Sequence, residues 1–133
     1  MLRLTLVVVL GLVGCASTPG GLAQPGNAEV FELDMGYQEA LRNIAAGTRE
    51  CGPVQILPLG QQINDTQHYP DLREGRITLG AAGVGTQITQ VVDVREVAPG
   101  RTQVTVYAKH PRTRAAYVAH ARRWATGDLS CGG

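Results

Sequence analysis

The chain has few of the side chains that carry out chemistry. Its 133 residues include two serines, Ser17 and Ser130, and one lysine, Lys109. Neither serine stands in a G-x-S-x-G turn, which excludes the usual hydrolase nucleophile. Lys109 ends a half-exposed strand pattern, where solvation accounts for it. None of His68, His110 and His120 has a second His or Cys at metal-site spacing, and no C-x-x-C pair supports thiol redox chemistry. Neither sign of charge dominates, the formal net being +1, so nucleic-acid binding has no electrostatic basis. The glycine-rich run GAAGVG, residues 80–85, lacks the following helix that a phosphate loop needs. An alternating TQITQVVDV follows it, which reads as strand. The sequence thus predicts no catalytic set, no metal site and no cofactor, and the expectation is a protein that is not an enzyme.

What is present begins at the N-terminus. Arg3 heads an apolar run from Leu4 to Val13, broken by Thr5 and Gly11. That length suits the apolar region of a signal peptide and is too short to span a bilayer. The run closes on Leu12-Val13-Gly14-Cys15, which resembles the lipobox of bacterial lipoproteins. The resemblance implies that Cys15 is lipidated and becomes the first residue of the mature chain. One myristoyl-sized chain binds a membrane at only about 10⁴ M⁻¹, so several on one residue make a lasting anchor. An ordinary secretory signal with an incidental cysteine is the plainer alternative. Ala16 stands where an inner-membrane retention signal usually has Asp, so the resemblance further implies the outer membrane, with the domain facing the periplasm.

The expected organisation is a signal peptide over 1–14, a lipidated N-terminus and flexible tether over 15–27, and one domain over 28–133. The stretch ASTPGGLAQPGN, residues 16–27, has no charge and no apolar period. Stretched at about 3.3 Å per residue it reaches roughly 40 Å. Within the domain, residues 28–75 hold eight acidic and three basic residues, and residues 76–133 hold three acidic and eight basic. Such asymmetry marks either a binding surface or two halves of one fold attracting each other.

With Cys15 lipidated, Cys51 and Cys131 remain, and in an oxidising envelope an even pair reads as a disulfide. Tyr37, Ala45, Gly47, Cys51 and Gly52 recur 80 residues later as Tyr117, Ala125, Gly127, Cys131 and Gly132. Descent from a repeat and convergent helix punctuation both account for this. Each copy reads as an amphipathic helix with a glycine stop, the first with Tyr37, Leu41, Ile44, Ala45 and Thr48 on one stripe. The second places Tyr117, Val118, Ala121, Trp124 and Ala125 on one stripe. The glycines suit C′ positions, so both helices are expected to end there. Bonded cysteines would then tie the ends of two helices running in broadly the same direction.

Ala28 to Leu33 reads as a strand, Val54 to Leu57 as a short one, and residues 58–75 as the longest loop. Arg76 to Leu79, Thr86 to Val97 and Thr102 to Lys109 alternate as a meander, with Ala98-Pro99-Gly100-Arg101 turning between the last two. Within it Ile88, Val92 and Val94 are expected on one face, interrupted by Gln90. Thr113 is a plausible cap for the second helix. The order β-α-(β)-β-β-β-α predicts an α+β two-layer sandwich, an antiparallel sheet of four or five strands with both helices on one face. This architecture is similar to the helix-grip and TBP-like domains of some periplasmic lipoproteins, a likeness that implies no activity.

The second helix is basic. Arg112, Arg122 and Arg123, with Arg114 and His120, surround its apolar stripe, which is either a solvated face or a dock for an anionic envelope component or acidic protein. The expected protein is a lipid-anchored, non-enzymatic envelope protein that binds a protein or envelope component. The alternative is a lipid or small-molecule binder with a groove between sheet and helices.

Overall fold

The computed structural model describes residues 17–52, 61–83 and 85–132. The lipobox with Cys15 and the strand expected at Val54 to Leu57 lie outside them. In chain order the elements are α1 (Pro19–Leu22), a 3-10 turn (Pro25–Asn27), β1 (Ala28–Leu33), α2 (Tyr37–Cys51), β2 (Gln61–Tyr69), β3 (Glu74–Gly83), β4 (Gly85–Ala98), β5 (Arg101–Tyr107) and α3 (Pro111–Ala125). The strands form one antiparallel sheet in the order β1-β5-β4-β3-β2, and α2 and α3 cover one face of it. The fold is an α+β two-layer sandwich. Among the described residues no helix is long and apolar enough to cross a membrane.

Alternation builds the core. Ile77, Leu79, Val92, Val94, Val104 and Val106 point from the three central strands toward the helices. They meet Ala40, Leu41 and Ile44 of α2 and Val118, Ala121 and Trp124 of α3. In β1 the buried residue is Phe31, while its neighbour Val30 is 50% exposed. A bulge breaks the alternation in β4: Leu79 pairs with Gln90 and Gly80 with Ile88, leaving Thr89 as the inserted residue. Ile88 therefore does not share a face with Val92 and Val94. It turns to the opposite face and joins Val91 and Leu22. Gln90 takes the helix-facing position instead, 1% exposed and with neither side-chain polar atom hydrogen-bonded among the described residues.

Four further expectations are corrected. Residues 61–69, read as loop, form β2, a strand of polar residues whose side chains are nearly all exposed. Such a strand carries no apolar alternation, because neither face is fully covered, and so gives no period to detect. Residues read as a tether are seated on the sheet: Thr18 caps α1, Leu22 is 2% exposed against β4, and Asn27 accepts a backbone hydrogen bond from Ala108. The cap of α3 is His110, with Pro111 in the first turn, not Thr113. Opposite charges in the two halves account for only one ion pair among the described residues, Arg101 with Glu32 at 2.7 Å. Arg73–Glu96 and Arg76–Asp93 pair in other ways.

The repeated cysteine–glycine pattern resolves into two different structures. Gly127 stops α3 as expected, with φ +93 and its N–H on the Trp124 carbonyl at 2.8 Å. Gly47 does not stop α2, which continues to Cys51. A Cβ on Gly47 would overlap the Trp124 indole, so this glycine is a seat for the tryptophan. Mid-helix glycine costs about 1 kcal/mol relative to alanine, and close packing of α3 offsets it. The helices also do not share a direction. Each folds back over the sheet from a short connection, and β1 and β5 are antiparallel, so α2 and α3 run in opposing senses. The Asn43 amide donates to the Ala125 carbonyl at 2.9 Å, midway along α2. Residues 126–131 then run on to Cys51, where the disulfide to Cys131 has a Cα–Cα distance of 5.2 Å.

Gly47→Ala is expected to destabilise the domain by about 1–3 kcal/mol through overpacking. In a Trp124→Ala background the same change should stabilise by up to about 1 kcal/mol. Urea denaturation of the four proteins checks the reversal of sign. Replacing both Cys51 and Cys131 with Ser opens a loop of 80 residues and is expected to cost about 4–5 kcal/mol in the chain-entropy model, visible as a lowered urea midpoint.

Candidate binding site

Two concavities stand out among the described residues, one on the open sheet face and one at the margin of the helical layer. The first lies on the sheet face opposite α2 and α3. It measures about 430 Å³ and is lined by polar side chains of β2 to β5. At its centre Arg76 grips Asp93 through two bonds of 2.6 and 2.8 Å. The bond to Asp93 raises the Arg76 pKa above its usual value. Tyr107 beside them has its phenol raised by burial and then by the negative charge of Asp93. Its two arginines already have partners, Arg76 on Asp93 and Arg95 on Gln103 at 2.9 Å, so an anionic ligand there would have to displace an existing contact.

The second concavity lies between α2 and β2. It measures about 300 Å³ and has Leu41 and Ala45 as its floor, with Thr66 and His68 on the strand side and Arg42 and Arg49 on the helix side. It exists because α2 sits over β3, β4 and β5 and overlaps β2 only at its margin. At one end Tyr37 Oη and His68 Nε2 are 3.1 Å apart, closing the space between the first turn of α2 and the strand. His68, in the segment read as loop, lies on β2 and is exposed, at the groove wall. Arg42 and Arg49 are exposed, and neither forms an ion pair among the described residues.

The arginines singled out in the sequence do not converge. Arg112 is exposed at the start of α3. Arg122 lies ten residues, or about 15 Å of helix, further on, with its guanidinium 4.4 Å from the Phe31 ring centroid. Arg123 has Nε and Nη2 enclosed without a hydrogen-bond partner and sits near Asp128, whose carboxyl is held below its usual range mainly by hydrogen bonds from Ser130. Arg114 donates to the Ala108 carbonyl at 3.0 Å. His120 leans on Trp124, their ring centroids 5.3 Å apart. No group of three or more His, Cys, Asp or Glu is arranged to hold a metal among the described residues.

The α2–β2 groove had no sequence signal, because Arg42 and Arg49 read as ordinary solvated helix charges and β2 read as loop. The chain matches no family model, no curated protein and no solved structure.

Burial also raises the phenol of Tyr117 on α3. Like Tyr107, it is favoured in its neutral form in the folded state. The folded pKa lies above the unfolded one, near 10. The stability so contributed is complete below about pH 10 and is lost as pH rises through the folded value. Tyr117→Phe is therefore expected to flatten the fall of the urea midpoint between about pH 9 and 11 relative to the unaltered protein. Equal slopes would place the alkaline sensitivity elsewhere.

Proposed function

We propose that the protein is a lipid-anchored component of the cell envelope, without enzymatic activity, whose domain binds a protein or envelope component in the periplasm. The observation that carries this reading is Leu12-Val13-Gly14-Cys15 at the end of a short apolar run behind Arg3. The Cys51–Cys131 disulfide supports it, since such bonds persist in oxidising compartments. Ala16 at the position after the lipidated cysteine favours the outer membrane. Within this reading the non-enzymatic role rests on the scattered nucleophiles, with both downstream cysteines bonded to each other.

The segment from Thr18 to Asn27 is a strap seated on the sheet, and it shortens the leash. Three residue steps separate Cys15 from Thr18, which caps α1, so the acyl chains attach within about 10 Å of the folded domain and not at roughly 40 Å. The sheet face that carries α1 then lies near the lipid surface. A second reading, a lipid or small-molecule binder, is favoured by the groove between α2 and β2, whose floor is apolar.

Cys15→Ser is expected to move the protein from the membrane to the soluble envelope fraction, while the unaltered protein sediments with membranes and its N-terminal peptide carries the mass of acyl chains. An unaltered protein found soluble, with an unmodified N-terminus, would remove the lipoprotein reading.

A further inference from the structure

Among the described residues, β2 is an edge strand with no element paired on its outer side. It has nine residues, Gln61–Tyr69, with no lysine and no internal proline, and Asp65 is its only carboxylate. Alternate residues of an antiparallel edge direct their N–H and C=O away from the sheet. Among the described residues, the backbone of β2 hydrogen-bonds to β3, and beyond that only the Tyr69 carbonyl is used, accepting from the Leu72 N–H in the turn. The opposite edge differs. β1 has six residues, carries Glu29 and Glu32, and is overlaid by Arg101 on Glu32 and Arg122 on Phe31. Short length and charge are the usual protections of an edge, and β2 is long and has one charged residue, Asp65.

The groove of about 300 Å³ runs beside this same edge. An added strand would place every second side chain on the side of Thr66 and His68, facing α2. An apolar side chain there meets Leu41 and Ala45. Carboxylates two positions to either side come within reach of Arg42 and Arg49, which lie seven residues and about 10 Å apart along one helix face. Both guanidiniums are exposed and unpaired among the described residues, so pairing with a carboxylate breaks no existing ion pair.

We propose that β2 accepts an additional strand from a partner protein, an extended segment that presents an apolar side chain flanked by acidic ones on its groove-facing side. Backbone pairing with β2 supplies the affinity, and Arg42, Arg49 and the apolar floor supply the selection. The proposal deepens the binding role given above and does not depend on how the chain is anchored.

The test is selection from a display library of random nine-residue peptides on the purified, disulfide-bonded full chain. The expected peptides carry Asp or Glu at two-residue spacing around an apolar residue. N-methylation of a selected peptide should weaken binding at least tenfold at every second amide and have little effect at the amides between. Arg42→Glu with Arg49→Glu should turn the selection toward Lys and Arg, and the variant should still fractionate with membranes. No enrichment, peptides indifferent to N-methylation at all positions, or an unchanged selection on the charge-reversed protein would each overturn the proposal. So would a dimer in sedimentation that β2 substitutions abolish, which would assign the edge to a second copy of this chain.

Discussion

The contact between Gly47 and Trp124 sets the arrangement of everything on the helical side of the sheet. A glycine inside α2 removes the one Cβ that would hold α3 away, and the indole fills that space at 3% exposure. With the tryptophan seated, the last carbonyl of α3 falls beside Asn43. The chain leaves α3 at Gly127 and comes alongside α2. The Trp124 indole N–H then reaches the Ser130 carbonyl at 3.4 Å, one residue before the disulfide. The covalent bond thus closes a path that packing has already laid out. In a domain with one tryptophan and one phenylalanine, a single well-seated aromatic ring is a large part of the available core.

The sheet serves two unequal faces. Helices and aliphatic side chains dry one of them, while on the other α1 seats Leu22 against β4 and the surface around Arg76 and Asp93 lines an open concavity. The bulge at Thr89 is the device that divides β4 between these tasks. It sends Ile88 to the strap side and Gln90 to the helix side, at the expense of a buried amide with no hydrogen-bond partner among the described residues. Unpaired buried amides are costly.

Among the described residues, helical coverage of the sheet is incomplete at one margin, and the second groove lies there. Two helices span less width than five strands, and α2 and α3 settle over the apolar central strands. The polar outermost strand is left at the rim. The same mismatch that exposes β2 opens the groove beside it, where Arg42 and Arg49 form no ion pair among the described residues. The arginines of α3 are positioned differently: Arg122 and Arg114 are used against Phe31 and the Ala108 carbonyl, which makes them parts of the fold.

Local pattern determined a good deal. Alternation in Thr102 to Lys109 marked the last strand, helical spacing placed Leu41, Ile44, Ala121 and Trp124 on apolar stripes, and Pro99-Gly100 placed the turn before β5. From these the two-layer α+β class follows, because amphipathic elements in that order bury their apolar sides in few ways. Pairing Cys51 with Cys131 was also legible, as the only bridge left once Cys15 is assigned to the lipobox. The identical letters around Gly47 and Gly127 were not decisive, since a glycine that ends a helix and a glycine that receives a ring look the same in sequence. Tertiary structure alone distinguished them, and it alone formed β2, seated the strap on β4 and set the helices in opposing senses. In each case the deciding contact joins residues far apart along the chain: Trp124 for Gly47, β3 for β2, Ile88 and Val91 for Leu22. A period or a motif reports only what neighbours along the chain share, and these contacts exist only after the sheet has closed.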